Sequence, residues 1–332
     1  MYKGIEAYIN FRWRKIEYLV GPVVIVLTMQ GSLEQYSIGI LCAITATVVF
    51  GITNVIYRKI DNEISVIDIV VTRIWVSLPI AYIFAVVSSG TIYFTLPPES
   101  LFPLAVSMIL GIVIGDTMYF FSQERIGVGR AFPIVMSYPL VVYLLAAMFL
   151  QEPVIIQRVV GAIIVVVGVV MVAKAEYSEE EENYSRWKPR DRNIGLLLAF
   201  VTILVWSVSD VTFQYGLIGV DAAEGNFYRI LVASVVYIPI FLLSLRGGRS
   251  LPSRRISGIA LVTGMFSIGI SLIVYSYAIK FVGATITSVL ISSAPIITAP
   301  LSALYLNEDV NRYVGIGTIL TIIGIILVVL IL

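Results

Sequence analysis

The sequence contains no histidine and one cysteine, Cys42. The lack of histidine excludes a Ser-His-Asp triad, a histidine metal site and a histidine pH switch. One cysteine cannot form an intrachain disulfide. Glycine-rich phosphate-binding loops and spaced clusters of metal ligands are also missing from the sequence. We therefore expect neither a cofactor nor a catalytic site, and we predict that the protein is not an enzyme.

Charge is scarce as well. Only 13% of the 332 residues are charged, whereas soluble domains carry about 25%. Hydrophobic residues make up 59% of the chain, the mean hydropathy is +0.97, and long apolar runs recur along its length. Runs of about 20 apolar residues can cross a hydrocarbon core of roughly 30 Å. The composition predicts an all-α polytopic protein of the cell membrane whose partner is the lipid bilayer, and the net charge of +1 predicts no binding to nucleic acid.

The sequence contains an internal repeat. When the sequence is shifted by 156 positions, the stretch from Gly127 to Gly168 aligns without a gap with the stretch from Gly283 to Gly324. Glycines, a proline and a glutamate match in one register, which chance would not readily produce in a chain rich in valine and leucine. The matched pairs include Gly127 with Gly283, Pro139 with Pro295, Glu152 with Glu308, Gly161 with Gly317, and Gly168 with Gly324. This period is too long for a solenoid repeat, so it indicates duplication of a half-protein.

The apolar segments fall into two groups of five. They lie at roughly 38–58, 68–89, 101–123, 131–150 and 157–174, and then at 194–217, 226–245, 257–279, 284–306 and 313–332. We therefore predict a first repeat over 38–175, a charged linker over 176–193, and a second repeat over 194–332. Because each half has an odd number of helices, the second half must enter the membrane from the opposite side. Inverted repeats of this kind are typical of secondary transporters, with a site near the midplane between the halves.

The N-terminal segment, 1–37, leaves two alternatives open. Loops after odd-numbered helices carry 14 lysines and arginines, against two in the loops after even-numbered helices, so the odd loops and the linker should be cytoplasmic. An extra helix over 18–37 would bring the basic N-terminus to the same side. However, the uncharged stretch from Tyr18 to Leu33 is short for a spanning helix, and Gly21 and Pro22 break it, which favours an interfacial segment. The distribution of charge leads us to predict the extra helix.

Two aspartates lie deep within apolar segments. A charged residue at the centre of a bilayer costs about 2.5–3.5 kcal/mol on insertion scales, and it usually marks function or pairing. Asp116 begins a polar stripe with Tyr119 and Gln123, while Asp210 shares a helix face with Trp206 and corresponds to Asn54 in the first half. These residues are candidates for a cavity wall. The alternative is that each aspartate pairs with an arginine or faces water near a helix end.

Two prolines lie inside predicted helices and remove a backbone hydrogen bond there. Tyr138 precedes Pro139, and Ser292 and Ser293 lie just before Pro295. We predict local unwinding at both prolines, with these three side chains facing a cavity. The alternative is a kink with no role in binding a ligand.

Other matched residues have structural and functional interpretations. The glycine pairs Gly161/Gly168 and Gly317/Gly324 predict close helix packing, and Gly111 and Gly115 predict the same. Glu152 and Glu308 precede the last helix of each half and could cap that helix or act in gating. Arg73 and Arg229 could pair with carboxylates or reach the headgroups, or they could act as counter-charges for a substrate.

The second half carries a recognisable series of residues. Tyr275-Ser-Tyr-Ala-Ile is followed by Gly283-Ala, Ser292-Ser293-Ala-Pro295, Leu306, Glu308, Gly317 and Gly324. This series resembles the EamA-type transporters of the drug/metabolite transporter superfamily. The resemblance covers about residues 38–332. It implies ten helices in two inverted five-helix repeats, a central substrate cavity, and export or exchange of small metabolites.

We therefore predict a secondary transporter that moves a small organic solute by alternating access. The alternative is a membrane scaffold or assembly partner with the same helical fold. A cavity lined by Asp116, Asp210, Trp206 and Tyr275 would favour transport, whereas tight packing of these residues without a cavity would favour the scaffold. The predicted substrate-binding residues are Asn54, Asp116, Tyr119, Gln123, Tyr138, Trp206, Asp210, Tyr275, Ser292 and Ser293. Asp116 and Asp210 are also the candidate carriers if transport is coupled to protons.

Overall fold

The computed structural model describes residues 33–57, 60, 63–126, 128–175, 189–246, 252–298, 301 and 312–330. The regular structure of these residues is helical throughout, and six of their helices are long and apolar enough to cross a membrane. The predicted all-α membrane architecture is therefore confirmed. Residues 18–32 of the predicted N-terminal helix (18–37) lie outside the described residues, as does Glu308, and residues 33–37 belong to the first described helix.

The first half comprises α1 to α7. Its helices are α1 (Leu33–Tyr57), α2 (Val66–Ser89), α3 (Pro98–Met108), α4 (Thr117–Ile126), α5 (Val128–Val135), α6 (Pro139–Phe149) and α7 (Ile156–Ala175). A π-helical segment, Ile109–Asp116, joins α3 to α4, so the three form one long element. Ser65 begins α2 by accepting a hydrogen bond from the Asp68 amide, and Gly90 ends it in the left-handed conformation.

The second half repeats this order. Its described helices are α8 (Pro189–Gly216), α9 (Ala222–Arg246), α10 (Arg254–Gly264), α11 (Ser271–Ser292) and α12 (Arg312–Val329). A π-helical segment, Met265–Ile270, joins α10 to α11. Its first residue corresponds in the sequence repeat to Ile109, the first residue of the other π-helical segment. π-Helical turns occur frequently at functional sites.

The first helix of each half crosses the π-helical segment of the other half. In α8, the Ser209 hydroxyl donates to the carbonyl of Ser107, one residue before the end of α3, over 2.7 Å. In α1, the carbonyl of Ala46 accepts a hydrogen bond of 3.3 Å from Ser271, directly after the second segment. Tyr57, at the end of α1, lies 3.2 Å from the hydroxyl of Ser267. These contacts join the two halves in the middle of the molecule.

The predicted break at Pro139 is confirmed. Helix α5 ends at Val135, a turn follows, and Pro139 occupies the first turn of α6, where a missing N–H costs nothing. The second half has the same interruption, because a turn at residues 293–294 precedes the helical residues 295–298. The break places Tyr138 at the start of α6.

The glycine pairs of the two halves pack against each other. A Cβ atom on Gly161 would lie 2.8 Å from the carbonyl oxygen of Gly324, and one on Gly168 would lie 2.6 Å from that of Gly317. Helices α7 and α12 therefore approach backbone to backbone, as small residues permit inside a membrane. The packing interpretation of these glycines is confirmed, and the contact joins the last helix of one half to the last helix of the other.

Glu152 also contacts the second half. Its carboxylate accepts hydrogen bonds from the Gln214 amide at 3.2 Å and from the Thr285 hydroxyl at 2.7 Å. The Gln214 side-chain oxygen in turn accepts from the backbone N–H of Ala284 at 2.5 Å. The expectation that Glu152 caps α7 is therefore wrong: its carboxylate meets the chain just after Gly283, because the loop before α7 lies against the second half.

Gly283 interrupts the regular geometry of α11. Its φ of 81° and ψ of 167° lie in a region that is open essentially only to glycine. A Cβ atom there would also lie 3.2 Å from a carboxylate oxygen of Glu152. The chain can change direction at this point because residue 283 has no side chain.

Replacing Gly283 with alanine is expected to destabilise the protein by about 1–3 kcal/mol, because alanine does not readily adopt this conformation. Thermal unfolding of the purified protein in detergent measures the effect. Gly258→Ala is the matched control, since Gly258 lies within α10 and has nothing within 4 Å of an added Cβ. The control should be neutral or slightly stabilising, and equal melting temperatures for the two variants would contradict the prediction.

Candidate functional site

A cavity of about 110 Å³ lies between the two halves, where α1 and α8 cross the π-helical segments. Side chains and backbone of both halves line it, including two aspartates, two arginines and four aromatic rings. The lining residues are Phe50, Arg73, Gly111, Ile112, Asp116, Tyr138, Trp206, Ser209, Asp210, Arg229, Ser267, Ile268, Ser271, Leu272, Tyr275 and Ile291. The wall is therefore mixed, with charged groups set in an otherwise apolar and aromatic surface.

Asp116 and Arg73 form an ion pair at this wall. Their closest oxygen and nitrogen atoms lie 3.2 Å apart, and both residues are buried. The guanidinium of Arg73 also lies 5.4 Å from the ring centre of Tyr57 and 5.6 Å from that of Phe120, within cation–π range. The pair neutralises two charges that would be expensive to leave apart in a membrane.

Asp210 has a different partner. Tyr275 donates a hydrogen bond to its Oδ1 atom at 2.5 Å, a length typical of a hydroxyl bound to a carboxylate. The second oxygen, Oδ2, is buried and has no hydrogen-bond partner among the described residues. One half of this carboxylate is therefore available for a ligand.

Arg229 occupies the position in the second half that Arg73 occupies in the first. Its guanidinium lies 3.6 Å from the ring centre of Phe213, just as Arg73 lies over Tyr57 at the matching position. Two of its nitrogens, Nε and Nη1, are buried and have no hydrogen-bond partner among the described residues. The cation–π contact positions the guanidinium but does not neutralise its charge.

Trp206 forms an aromatic part of the wall. Its Nε1 donates to the carbonyl of Gly111 at 3.0 Å, and its ring centre lies 5.3 Å from that of Tyr119 and 5.7 Å from that of Tyr138. A Cβ atom on Gly115 would lie 2.6 Å from the indole nitrogen. The glycines at 111 and 115 thus allow a tryptophan of the second half to reach the first.

Comparison with known proteins agrees with this architecture. The model of the EamA-like transporter family matches the chain twice, over residues 37–174 and 193–330. The chain belongs to the EamA-like transporter family. The two matches are related by the same offset as the repeat seen in the sequence. The resemblance to EamA-type transporters is confirmed, and the protein is a multi-pass membrane transporter.

Two further similarities accompany the family match. An uncharacterized transporter of Archaeoglobus fulgidus is 24% identical over 234 residues, which are 68% of this chain and 75% of that protein. A crystal structure superimposes with a TM-score of 0.69 and 16% sequence identity, over 87% of this chain and 96% of the other. At this identity, the structural similarity shows a shared fold.

The structure brings five of the predicted site residues of this EamA protein to the cavity wall. They are Asp116, Tyr138, Trp206, Asp210 and Tyr275. They include all four residues whose presence in a cavity wall would favour a transporter over a scaffold, namely Asp116, Asp210, Trp206 and Tyr275. Both aspartates line the cavity. Asp116 also pairs with an arginine, Arg73, as the alternative interpretation had it, whereas the partner of Asp210 is Tyr275.

The other five predicted residues do not line the cavity. Tyr119 packs its ring behind Trp206, Gln123 lies one turn further along α4, and Asn54 lies on α1 with its Nδ2 buried. The hydroxyls of Ser292 and Ser293 donate to carbonyls of their own chain segment, those of Val289 and Leu290. Hydroxyls that satisfy the backbone near a helix break need no ligand.

Several residues of the cavity wall are not among those predicted from the sequence. Ser267 and Ser271 line the cavity at the positions that correspond to Gly111 and Gly115 in the repeat. Comparing the two halves position by position points to these serines, and Gly111 lines the same cavity as its counterpart Ser267. Phe50 likewise corresponds to Trp206.

Proposed function

We propose that this EamA protein is a secondary transporter of the cell membrane that moves a small organic solute by alternating access, as an exporter or an exchanger. The observation that carries the proposal is the cavity between the halves, to which each half contributes one aspartate and one arginine. A cavity shared by two halves can be exposed to either side of the membrane when one half rocks against the other.

The proposed mechanism requires ten spanning helices in two inverted repeats, over 38–175 and 194–332. The repeat offset supports this arrangement, because the same offset relates the two family matches, the two π-helical segments and the two proline breaks. In such a mechanism the contact of Glu152 with Gln214 and Thr285 has to open when the halves separate on that side. This gives Glu152 the gating role that the sequence left as an alternative.

A non-transporting scaffold explains the cavity less well. A scaffold gains stability from full packing, whereas here Arg229 and Asp210 keep buried polar atoms without partners among the described residues. Such atoms are costly in a membrane interior. A transporter accepts this cost because a solute satisfies the atoms during each cycle.

Locking the halves together tests alternating access. In a Cys42→Ala background, Glu152→Cys and Thr285→Cys would be joined by a short, reducible bis-methanethiosulfonate reagent. Proteoliposomes preloaded with a mixture of amino acids, monosaccharides and organic cations would report release by mass spectrometry. We expect the cross-link to reduce release at least tenfold and dithiothreitol to restore it, because these side chains are in contact in this state.

Each single-cysteine variant treated with the same reagent is the control and should release the solutes as the same variant does before treatment. Full release by the cross-linked protein would contradict alternating access at this contact. If the untreated protein released none of the mixture, transport of these solutes would itself be contradicted.

A further inference from the structure

The four charged side chains of the cavity are not equivalent. Arg73 and Asp116 already neutralise each other across 3.2 Å. Arg229 and Asp210 are also buried, at 2% and 6% exposure, yet the described residues include no ion pair between these two side chains. The cavity therefore holds one ion pair, Arg73 with Asp116, and two further opposite charges that form no ion pair with each other, Arg229 and Asp210. We call Arg229 and Asp210 the open pair.

The repeat explains why Arg229 stays unpaired. In the first half the partner of Arg73 is Asp116, and the position that corresponds to Asp116 in the second half is Leu272. Leu272 lines the cavity and offers no charge to Arg229. The second aspartate stands instead on α8, at the position of Asn54, where Tyr275 binds one of its oxygens.

Unpartnered atoms remain on both members of the open pair. Arg229 presents Nε and Nη1 as donors without acceptors, and Asp210 presents Oδ2 as an acceptor without a donor, among the residues that the structure describes. A buried donor or acceptor without a partner destabilises the protein, and the effect is larger when the group is charged. Water or a solute that enters the cavity can supply the missing partners, and a solute with both a donor and an acceptor group can satisfy both side chains at once.

We infer that the transported solute is a small zwitterion, whose carboxylate binds Arg229 and whose ammonium group binds Asp210. This inference rests on the proposed function and specifies the substrate class of that same cavity. An organic cation would leave Arg229 without a counter-charge, and an organic anion would leave Asp210 without one. A neutral sugar would compensate neither charge, whereas a zwitterion satisfies both and adds no net charge to the membrane interior.

The other residues of the cavity wall restrict the size and the polarity of the solute. A volume of about 110 Å³ favours a small molecule. The rings of Phe50, Tyr138 and Trp206 and the side chains of Ile268 and Leu272 supply apolar surface. A short apolar side chain on the zwitterion would bury its surface there, which favours binding.

Binding to the full-length protein in detergent would be measured first, by thermal shift and by isothermal titration calorimetry. The probes are glycine, alanine and valine, together with the amines and the carboxylic acids that lack one of their two charged groups. We expect at least one zwitterion to bind at least tenfold more tightly than its amine and its acid. Counterflow of the same labelled compounds in proteoliposomes would then show the same order.

Two variants test which charged group of the solute each side chain binds. Arg229→Gln and Asp210→Asn should each weaken zwitterion binding at least tenfold. Asp210→Asn should also abolish any residual binding of the amine, and Arg229→Gln any residual binding of the acid. The matched control is Arg254→Gln, since Arg254 is exposed at the start of α10, and this variant should bind like the wild type. If Arg229→Gln does not fold, Arg229→Lys keeps the charge and should retain the preference for zwitterions.

The outcomes separate this inference from the proposed function. One outcome is that the protein exchanges a sugar or an organic cation, and that Arg229→Gln and Asp210→Asn do not change the rate of this exchange. That outcome would overturn the zwitterion inference but not the proposed transport function. The same result follows if amines or acids bind as tightly as the zwitterions, or if no zwitterion binds to a protein that transports other solutes. Failure of every solute to move would overturn the proposed function instead.

Discussion

Replacing Asp116 with leucine is expected to lower the free energy of unfolding by about 3–5 kcal/mol, the cost of leaving one member of a buried ion pair without its partner. Leucine is the residue at the corresponding position of the second half, Leu272, so it fits the same helix geometry. The loss arises because Arg73, 5% exposed, keeps its charge but loses the carboxylate that lies 3.2 Å away. Equilibrium unfolding in mixed micelles measures the change.

The double variant Arg73→Met with Asp116→Leu separates the cost of the unpaired charge from the cost of lost packing. It should recover most of the stability, because replacing both members of a buried pair with apolar groups is often neutral or stabilising. Arg73→Met alone should be destabilising, since it leaves the carboxylate unpaired. If the two single effects simply added in the double variant, the ion pair would not be the cause.

Replacing Gly168 with alanine is expected to destabilise the protein by about 1–3 kcal/mol, the range for overpacking a well-packed interior. The added methyl group would lie 2.6 Å from the carbonyl oxygen of Gly317 and 2.7 Å from the backbone nitrogen of Thr321. Backbone atoms of a helix cannot move aside as a flexible side chain can, so α7 and α12 would have to separate. Thermal unfolding in detergent measures the loss.

Gly315→Ala is the control for Gly168→Ala. Gly315 belongs to α12, the helix that Gly168 contacts, but an added Cβ there meets nothing within 4 Å. Alanine should be tolerated or slightly stabilising, because glycine within a helix costs about 0.5–1 kcal/mol relative to alanine. Equal destabilisation by the two variants would contradict the prediction, because it would show that the close contact of α7 with α12 does not determine the effect.

Much of the fold could be predicted because its signals are local. The apolar segments gave the helices, and their predicted bounds differ from the observed ones by a few residues at most helix ends. One predicted segment, 131–150, is two helices, and the sequence indicated the break through Pro139, which has no N–H to donate. The repeat offset predicted the correspondence between halves, and the structure extends it to the π-helical segments.

The candidate site could be predicted in part. Asp116 and Asp210 stood out because a charge inside an apolar segment is too costly to be incidental, and both lie at the cavity. Spacing along one helix was less informative. Tyr119 and Gln123 follow Asp116 at helical intervals, but only Asp116 lines the cavity, because α4 packs against other helices beyond this point.

The hydrogen-bond partners of Glu152 could not be predicted from the sequence. Its position before α7 suggested a local cap, yet its carboxylate binds Gln214 and Thr285, which lie 62 and 133 residues away. The choice between a local and a distant partner depends on how the halves are placed, and no spacing in the sequence reports that placement.

By itself, the sequence determined that this is a duplicated, all-helical membrane protein with rare charges that must be explained. Hydrophobic length, proline and the repeat carry this information locally, because the solvation of each segment in lipid depends on its own residues. Only the tertiary structure decided which charges neutralise each other. Arg73 and Arg229 occupy equivalent positions in the sequence repeat, but packing places a carboxylate 3.2 Å from the first, and no described carboxylate forms an ion pair with the second. The energy of a buried charge depends on the distance to its nearest opposite charge or polar group, and the packing of the helices sets that distance.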